Sequence, residues 1–355
     1  MPNNSIALAS KYVPMLDEVY KLAALSSDLD GASELARQGA NADEMIIPKI
    51  SMDGLADYGR NSGYVDGDVT MVNETVKCNF DRGRMFTVDN MDNVETAGLA
   101  FGRLAGEFIR TKVVPELDAF RFAMYASAAG ISKASPATLA DGAAVIAALR
   151  AAVTQMDEDE VPLDQRYLFI TPTLHGYVKD LDTNKSREVF DGFAKVVDVP
   201  QTRFYTKILQ KDGKTEGQTG GGYVKAEHSQ EFTGDGTTTS FTVTGKPAEL
   251  QKVIVDGTAV TTGFTYTSAT GALVFSSAPA NTKIIKVIYD TGVEINFLIV
   301  HKPAVIQFQK HVAPKIVTPE ANQSADAYKF GYRNVGIADV YDNKLAGIYL
   351  HCKAI

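Results

Sequence analysis

Phe108-Ile109-Arg110-Thr111-Lys112-Val113-Val114-Pro115-Glu116-Leu117-Asp118-Ala119 lies in the middle of the run on which the rest of the chain hangs. Upstream of it Val94, Phe101, Leu104, Phe108 and Ile109 recur at helical spacing, with Ala97, Gly98 and Ala105 beside them, which is the pattern of one apolar helix face. Asp92 or Asn93 supplies the short side-chain oxygen that caps a first turn. Downstream the spacing resumes through Leu117, Phe120, Met124 and Ala128. Pro115 removes one helical hydrogen bond and clashes with the turn before it, so the helix spanning 93–130 is expected to kink or restart there. Unbroken, it would run about 50 Å at roughly 1.5 Å per residue, long enough to act as a spine.

Before this helix the pattern is β. Residues 1–44 combine a short helical spacing (Val13, Leu16, Val19, Tyr20, Ala23) with Ser, Asp, Gly and Asn from Leu25 onward, which reads as an arm. Residues 45–92 begin with Met45-Ile46-Ile47-Pro48 and a glycine- and aspartate-rich span, Asp53 to Asp68. Val72, Val76, Cys78 and Phe80 then alternate with Asn73, Thr75, Lys77 and Asn79, as in a half-buried strand. Asp81-Arg82-Gly83 has turn chemistry, and Met85 to Val88 reads as the return strand of a long hairpin.

After the helix the periods mix. Asp141 is placed to cap a helix whose face is Val145, Leu149, Val153 and Met156, closed by the acidic run Asp157 to Glu160. Tyr167 to Ile170 is a compact strand, and Thr171-Pro172 starts a short helix through Leu174, Tyr177 and Leu181. Lys211 to Gly222 reads as a connector. Residues 226–290, and Glu231 to Asp290 above all, are short strands rich in Thr, Val and Gly, with hairpin signals at Asp256-Gly257 and Ala269-Thr270-Gly271 and a final strand at Ile284 to Tyr289. Ile295 to Phe308 returns to long apolar strands, and Ala327 to Cys352 adds more, linked at Asp342-Asn343. The expected fold class is therefore α+β, with 131–225 and 291–355 on either side of an all-β insertion, 226–290.

Composition excludes several function classes. A chain of 355 residues with a net charge of −8 and scattered basic side chains lacks the basic stripe that a nucleic-acid grip needs. No stretch is long and apolar enough to span a membrane, and Met1 to Ser10 lacks the order of a secretory signal. Two cysteines, Cys78 and Cys352, make no disulfide framework and suit a reducing compartment, which leaves the sequons at Asn3, Asn73 and Asn322 as chance matches.

Catalytic patterns are missing as well. His175, His228, His301, His311 and His351 form no metal-binding pair at helical spacing. Gly213-Lys214-Thr215 resembles the end of a phosphate loop, but Ile208 stands where the leading glycine belongs. Gly220-Gly221-Gly222 lacks dinucleotide-site spacing, and Asp157 to Glu160 and Asp66-Gly67-Asp68 read as a helix end and a turn. No nucleophile elbow occurs. The reading is of no catalytic, cofactor-binding or metal residue, and no cofactor.

The order of arm, extended loop, long helix, α/β body and closing strands resembles the major capsid protein of tailed bacteriophages, the HK-ninety-seven fold. Phe108-Ile109-Arg110 through Val114-Pro115-Glu116-Leu117-Asp118-Ala119 is similar to that family's spine-helix segment. Arg166 to Pro172 resembles the strand and turn that open its axial domain. Asp339-Val340-Tyr341 and Gly347-Ile348-Tyr349, within Tyr332 to Tyr349, resemble its closing strands. Phe232-Thr233-Gly234-Asp235-Gly236-Thr237 resembles openings of β-modules in phage tail proteins.

The resemblance implies a non-enzymatic protein that assembles with itself into pentamers and hexamers. These close into an icosahedral shell that encloses double-stranded DNA without sequence-specific binding. It implies a separate scaffolding protein, a portal protein and a decoration protein as partners, no membrane, and a place in the virion after synthesis in the host bacterial cytoplasm. The loop, about Ile50 to Phe86, would lie across a neighbour, and the axial domain, about Ile131 to Val224 with later strands, near the capsomer axes. Lys49 and Lys77 flank the loop with no lysine between them, so no isopeptide crosslink is expected. The alternatives are an encapsulin-like cellular compartment shell and a phage tail or adhesion protein with a carbohydrate-binding β-module.

Overall fold

The computed structural model describes residues 24–31, 37–38, 44–54, 56–58, 60, 64–91, 99–181, 183–216 and 218–354. The helical spacing at 13–23, the caps Asp92 and Asn93, and Val94, Ala97 and Gly98 lie outside them, as does the side chain of Phe101. The chain divides into two units, Met1–Ile109 with Val305–Asp339, and Arg110–Ala304 with Val340–Ile355.

Elements are numbered along the chain. The first unit contains β1 (Arg37–Gln38), β2 (Glu44–Met52), β3 (Val69–Lys77), β4 (Phe80–Asp89), α1 (Leu99–Phe108), β18 (Val305–Val317) and most of β19 (Ala327–Val340). They form two three-stranded sheets, ordered β1-β2-β3 and β18-β19-β4. The hairpin expected of β3 and β4 is not formed. β3 pairs with β2 from Glu44↔Lys77 to Met52↔Val69, and β4 pairs with β19 from Ala327↔Asp89 to Gly336↔Phe80. The chain changes sheet at Cys78-Asn79, where Asn79 Nδ2 donates to the Ala338 carbonyl (2.7 Å) and Asn79 Oδ1 accepts from the Ala338 N–H (3.1 Å). Asp81-Arg82-Gly83 is thus the interior of β4. Gly83 is needed there because a Cβ would meet the Tyr332 carbonyl oxygen at 2.9 Å, so the glycine serves close strand approach and not a turn. Phe108 holds α1 to this sheet through edge contacts with Phe86, Phe330 and Tyr332, at ring-centroid distances of 4.8, 6.4 and 6.3 Å. The segment 24–31 turns at Ser27–Leu29 and buries Leu29, tied down by Gln307 Nε2 donating to the Ser26 carbonyl and to Asp30 Oδ1.

After α1 the chain makes a π-helical turn, Ile109–Val113, and α2 starts at Val114 with Pro115 in its first turn. The restart expected at Pro115 is therefore prepared one turn earlier, where wider helical spacing accommodates the missing N–H. α2 (Val114–Ser127) opens the second unit's core.

Five strands make the central sheet of that unit: β5 (Ser132–Lys133), β6 (Arg166–Ile170), β7 (Lys195–Asp198), β17 (Ile295–His301) and β20 (Ile348–Cys352), in the order β5-β20-β17-β6-β7. α3 (Gly142–Glu158), α4 (Pro172–Asp180) and α5 (Asn184–Glu188) join it. Val145, Leu149 and Met156 of α3 and Leu174 and Val178 of α4 are buried with Leu168, Ile170, Phe297 and Ile299 of the sheet. Phe169, of opposite parity, meets Phe122 of α2 at 5.0 Å, so helices cover both faces. Asp141 caps α3, its Oδ1 accepting from the Ala144 N–H at 2.7 Å.

Lys211–Gly222 is not a connector. It is the loop of a two-stranded ribbon, β8 (Ile208–Gln210) with β9 (Tyr223–Lys225), closed by Asp212, which accepts from the N–H groups of Lys214 and Thr215. Beyond it come β10 (His228–Thr233), β11 (Ser240–Thr242), β12 (Lys252–Val255), β13 (Thr258–Val260), β14 (Phe264–Thr267), β15 (Ala272–Phe275) and β16 (Ile284–Tyr289). They form two sheets, β10-β16-β12-β13 and β11-β15-β14, around Val243, Val253, Leu273, Phe275, Ile285 and Val287. At the β12–β13 turn Asp256 and Gly257 both have positive φ (49° and 78°), the backbone that an Asp-Gly hairpin supplies.

Candidate functional site

The first unit's hairpin, β2–β3, carries the candidate surface. Its strands are joined by the tip 53–68, which Asp53 closes by donating its N–H to the Asp68 carbonyl (3.1 Å) and accepting the Asp68 N–H on Oδ2 (2.8 Å). Met52 and Val69 are cross-strand partners, and Met71 shares their parity, so all three lie on one face. All three are exposed, as are Tyr58, Val65 and Tyr64, the last at 88%. The rings of Tyr58 and Tyr64 meet at 4.8 Å within the tip. Asp53, Asp57, Asp66 and Asp68 are interspersed with these residues along the chain and are exposed too. A run of large apolar side chains with a polar rim is the composition of a contact surface, because leaving it in water forgoes about 25 cal/mol per Å² of burial. The alternation read from the sequence put Val72, Val76, Cys78 and Phe80 on one face, whereas Val69 and Met71 have the other parity. Their exposure was not legible, since Met52, Val69 and Met71 have the composition of core residues.

Four of the five histidines have described side chains. His175 Nδ1 bonds Asp198 Oδ1 at 2.6 Å, with Phe190 edge-on at 5.0 Å. His228 stacks on Tyr289 at 6.2 Å. His301 is buried, and burial pushes its proton affinity down, with Arg166 and Lys344 adding to the effect and Asp164 opposing it. His351 is buried and likewise depressed by burial. The side chain of His311 lies outside the described residues. Among the described residues no three of His, Cys, Asp and Glu gather to hold a metal ion.

The acidic run also has local duties. Asp157 Oδ1 pairs with the buried Arg166 at 2.8 Å, and Asp159 accepts from Gln155 Nε2 at 3.1 Å. Gly213-Lys214-Thr215 and Gly220-Gly221-Gly222 both fall in the ribbon loop, the latter two glycines with φ of 64° and 75°.

No family model matches the chain, and no curated protein matches its sequence. Among solved structures it is similar to the capsid of cyanophage P-SCSP1u, with 11% identity, 90% of this chain and 85% of that chain covered, and a TM-score of 0.47. It is similar to the virus-like particle from Pyrococcus furiosus, with 10% identity, 95% of each chain covered, and a TM-score of 0.48. It is also similar to the capsid of Staphylococcus phage Andhra, with 10% identity, 91% and 84% covered, and a TM-score of 0.46.

Proposed function

We propose that this chain is a self-assembling capsid protein without enzymatic activity. It forms pentamers and hexamers of an icosahedral shell around double-stranded viral DNA. The observation that carries the proposal is the β2–β3 hairpin, whose Met52, Val69 and Met71 stripe and Tyr58–Tyr64 tip are exposed in the single chain. A second copy of the chain is the occupant, because a shell protein meets copies of itself on every side and hides such surface only on assembly.

In this reading the hairpin is the extended loop. The sheet β18-β19-β4 with α1 is the peripheral domain, the five-stranded sheet with α3, α4 and α5 is the axial domain, and β10 to β16 form an inserted domain. The mild negative charge of −8 supports a wall that encloses DNA without adhering to it. A separate scaffolding protein, a portal protein and a decoration protein complete the proposed set of partners, and the virion is the proposed location.

Replacing Met52, Val69 and Met71 together by serine tests the reading. The variant should melt within about 0.5 kcal/mol of the parent, as surface changes do, and should sediment as small species while the parent forms large ones. Large particles formed equally well by the variant would overturn it.

A further inference from the structure

A buried hydrogen-bond chain in the second unit joins Ala137, Asn296 and His351. Asn296 falls at a register shift in the β17–β20 ladder, between the pairs Ile295↔Cys352 and Phe297↔His351. Such a bulge re-aims the side chain it carries. Here it turns the Asn296 amide into the seam between the sheet and the segment 134–140. Asn296 Nδ2 lies 2.9 Å from the Ala137 carbonyl oxygen and 3.1 Å from His351 Nδ1. Asn296 and His351 are 7% and 4% exposed, and the imidazole stacks on Phe297 at 5.0 Å.

An amide nitrogen carries two hydrogens and accepts none. One goes to the Ala137 carbonyl, so the other points at His351 Nδ1, which must offer a lone pair. The ring is then neutral, with its hydrogen on Nε2. Turning the amide over would set its oxygen against the Ala137 oxygen at hydrogen-bond distance, which is repulsive. A second proton on the imidazole would set two donors against each other at Nδ1. Either response breaks the chain, and a buried polar group left without its partner is costly.

The chain is one of a few ties on that segment. Among the described residues the other backbone bonds on it are the Ala134 N–H to the Leu350 carbonyl and the Ala137 N–H to the Cys352 carbonyl, both 3.0 Å, and Ala134 and Leu139 pack against the core. Residues 134–140 contain no ionisable side chain. The titratable groups on the surrounding strands are Lys133 on β5, His301 at the far end of β17, Tyr349 and Cys352 on β20, and the exposed Glu294–Lys353 pair at the strand ends (2.9 Å). Burial lowers the proton affinity of His351, and a backbone bond to Cys352 offsets this in smaller part.

We propose that Ala137, Asn296 and His351 form an acid-sensitive latch, which holds residues 134–140 on the β17–β20 edge while the imidazole is neutral and frees them when it is protonated. The test is peptide-level hydrogen exchange on the full chain at about pH 7.5 and about pH 5, corrected for intrinsic rates, with the imidazole tautomer read by nitrogen chemical shift on histidine-labelled protein. Exchange in 134–140 should rise by roughly tenfold or more at the lower pH in the parent. In His351→Phe it should be the same at both values, whatever its level. The parent's ring at neutral pH should be the Nε2–H tautomer. An Nδ1–H tautomer, equal protection of 134–140 at both pH values in the parent, or an undiminished rise in His351→Phe would each overturn the latch. The tautomer measurement needs no folded variant.

Discussion

Arg333 grips Asp81 through two parallel bonds, Nε to Oδ1 at 2.9 Å and Nη2 to Oδ2 at 2.6 Å, between neighbouring strands β19 and β4. The pair fixes Asp81 inside a strand. Asp and Gly two residues apart carry the same letters for a turn and for a strand that another backbone approaches closely. Only the partner strand, some 250 residues later in the chain (|i−j| of 252), decides between them. Both side chains are exposed, so the ion pair itself adds little, and the glycine carries the constraint. Gly83→Val should therefore destabilise the first unit by roughly 1–3 kcal/mol, as overpacking does, against a smaller effect of Arg333→Ala. Denaturant titration of both variants checks the order.

Phe108 is the ring on which Phe86, Phe330 and Tyr332 converge. It is half-buried, so Phe108→Ala should cost somewhat less than the roughly 3–5 kcal/mol typical of a fully buried phenylalanine. A melting point equal to the parent's would mean that α1 does not lean on this sheet.

Deleting residues 227–291 tests whether the β-rich block is a separate body. Its two ends are already joined, the Gly292 N–H donating to the Ala226 carbonyl at 2.8 Å, so a short glycine bridge spans the gap. The block has its own core. The shortened chain should stay soluble and melt cooperatively. Aggregation on expression would show that the block belongs to the main core.

Local chemistry made much of this fold legible. Asp141 before an apolar helix face and Asp256-Gly257 between strands each specify their geometry within four residues, and both took the form expected. Lys211–Gly222 misled for the opposite reason. A Gly-rich loop and a linker have one composition, and only the pairing of Ile208–Gln210 with Tyr223–Lys225 separates them. The contact surface was not legible: 53–68 read only as a glycine- and aspartate-rich span, and the turn was expected at Asp81-Arg82-Gly83, which is the interior of β4. The Asn296–His351 bond was beyond reach, since it joins residues 55 apart through a bulge that no spacing announces.

Acid should weaken the second unit. His301 is held below its ordinary value of 6.5 by burial first, so the unfolded chain takes up the proton more readily than the folded one. The stability gained from keeping this ring neutral is present above pH 6.5 and is lost as pH falls below it. Melting temperature measured from neutral to mildly acidic pH should drop less steeply in His301→Gln than in the parent.

Cys352 should resist thiol reagents. Burial pushes its thiol up to about 11, which leaves almost no thiolate at neutral pH. Labelling of the native protein should spare Cys352 and reach it on unfolding, as peptide mass mapping would show.

Electron microscopy of the purified chain tests the central claim most directly. Closed polyhedral shells are predicted, with the β2–β3 hairpin of each copy covered by another. Monodisperse small particles at every concentration, with Met52, Tyr64 and Met71 still open to solvent, would contradict it.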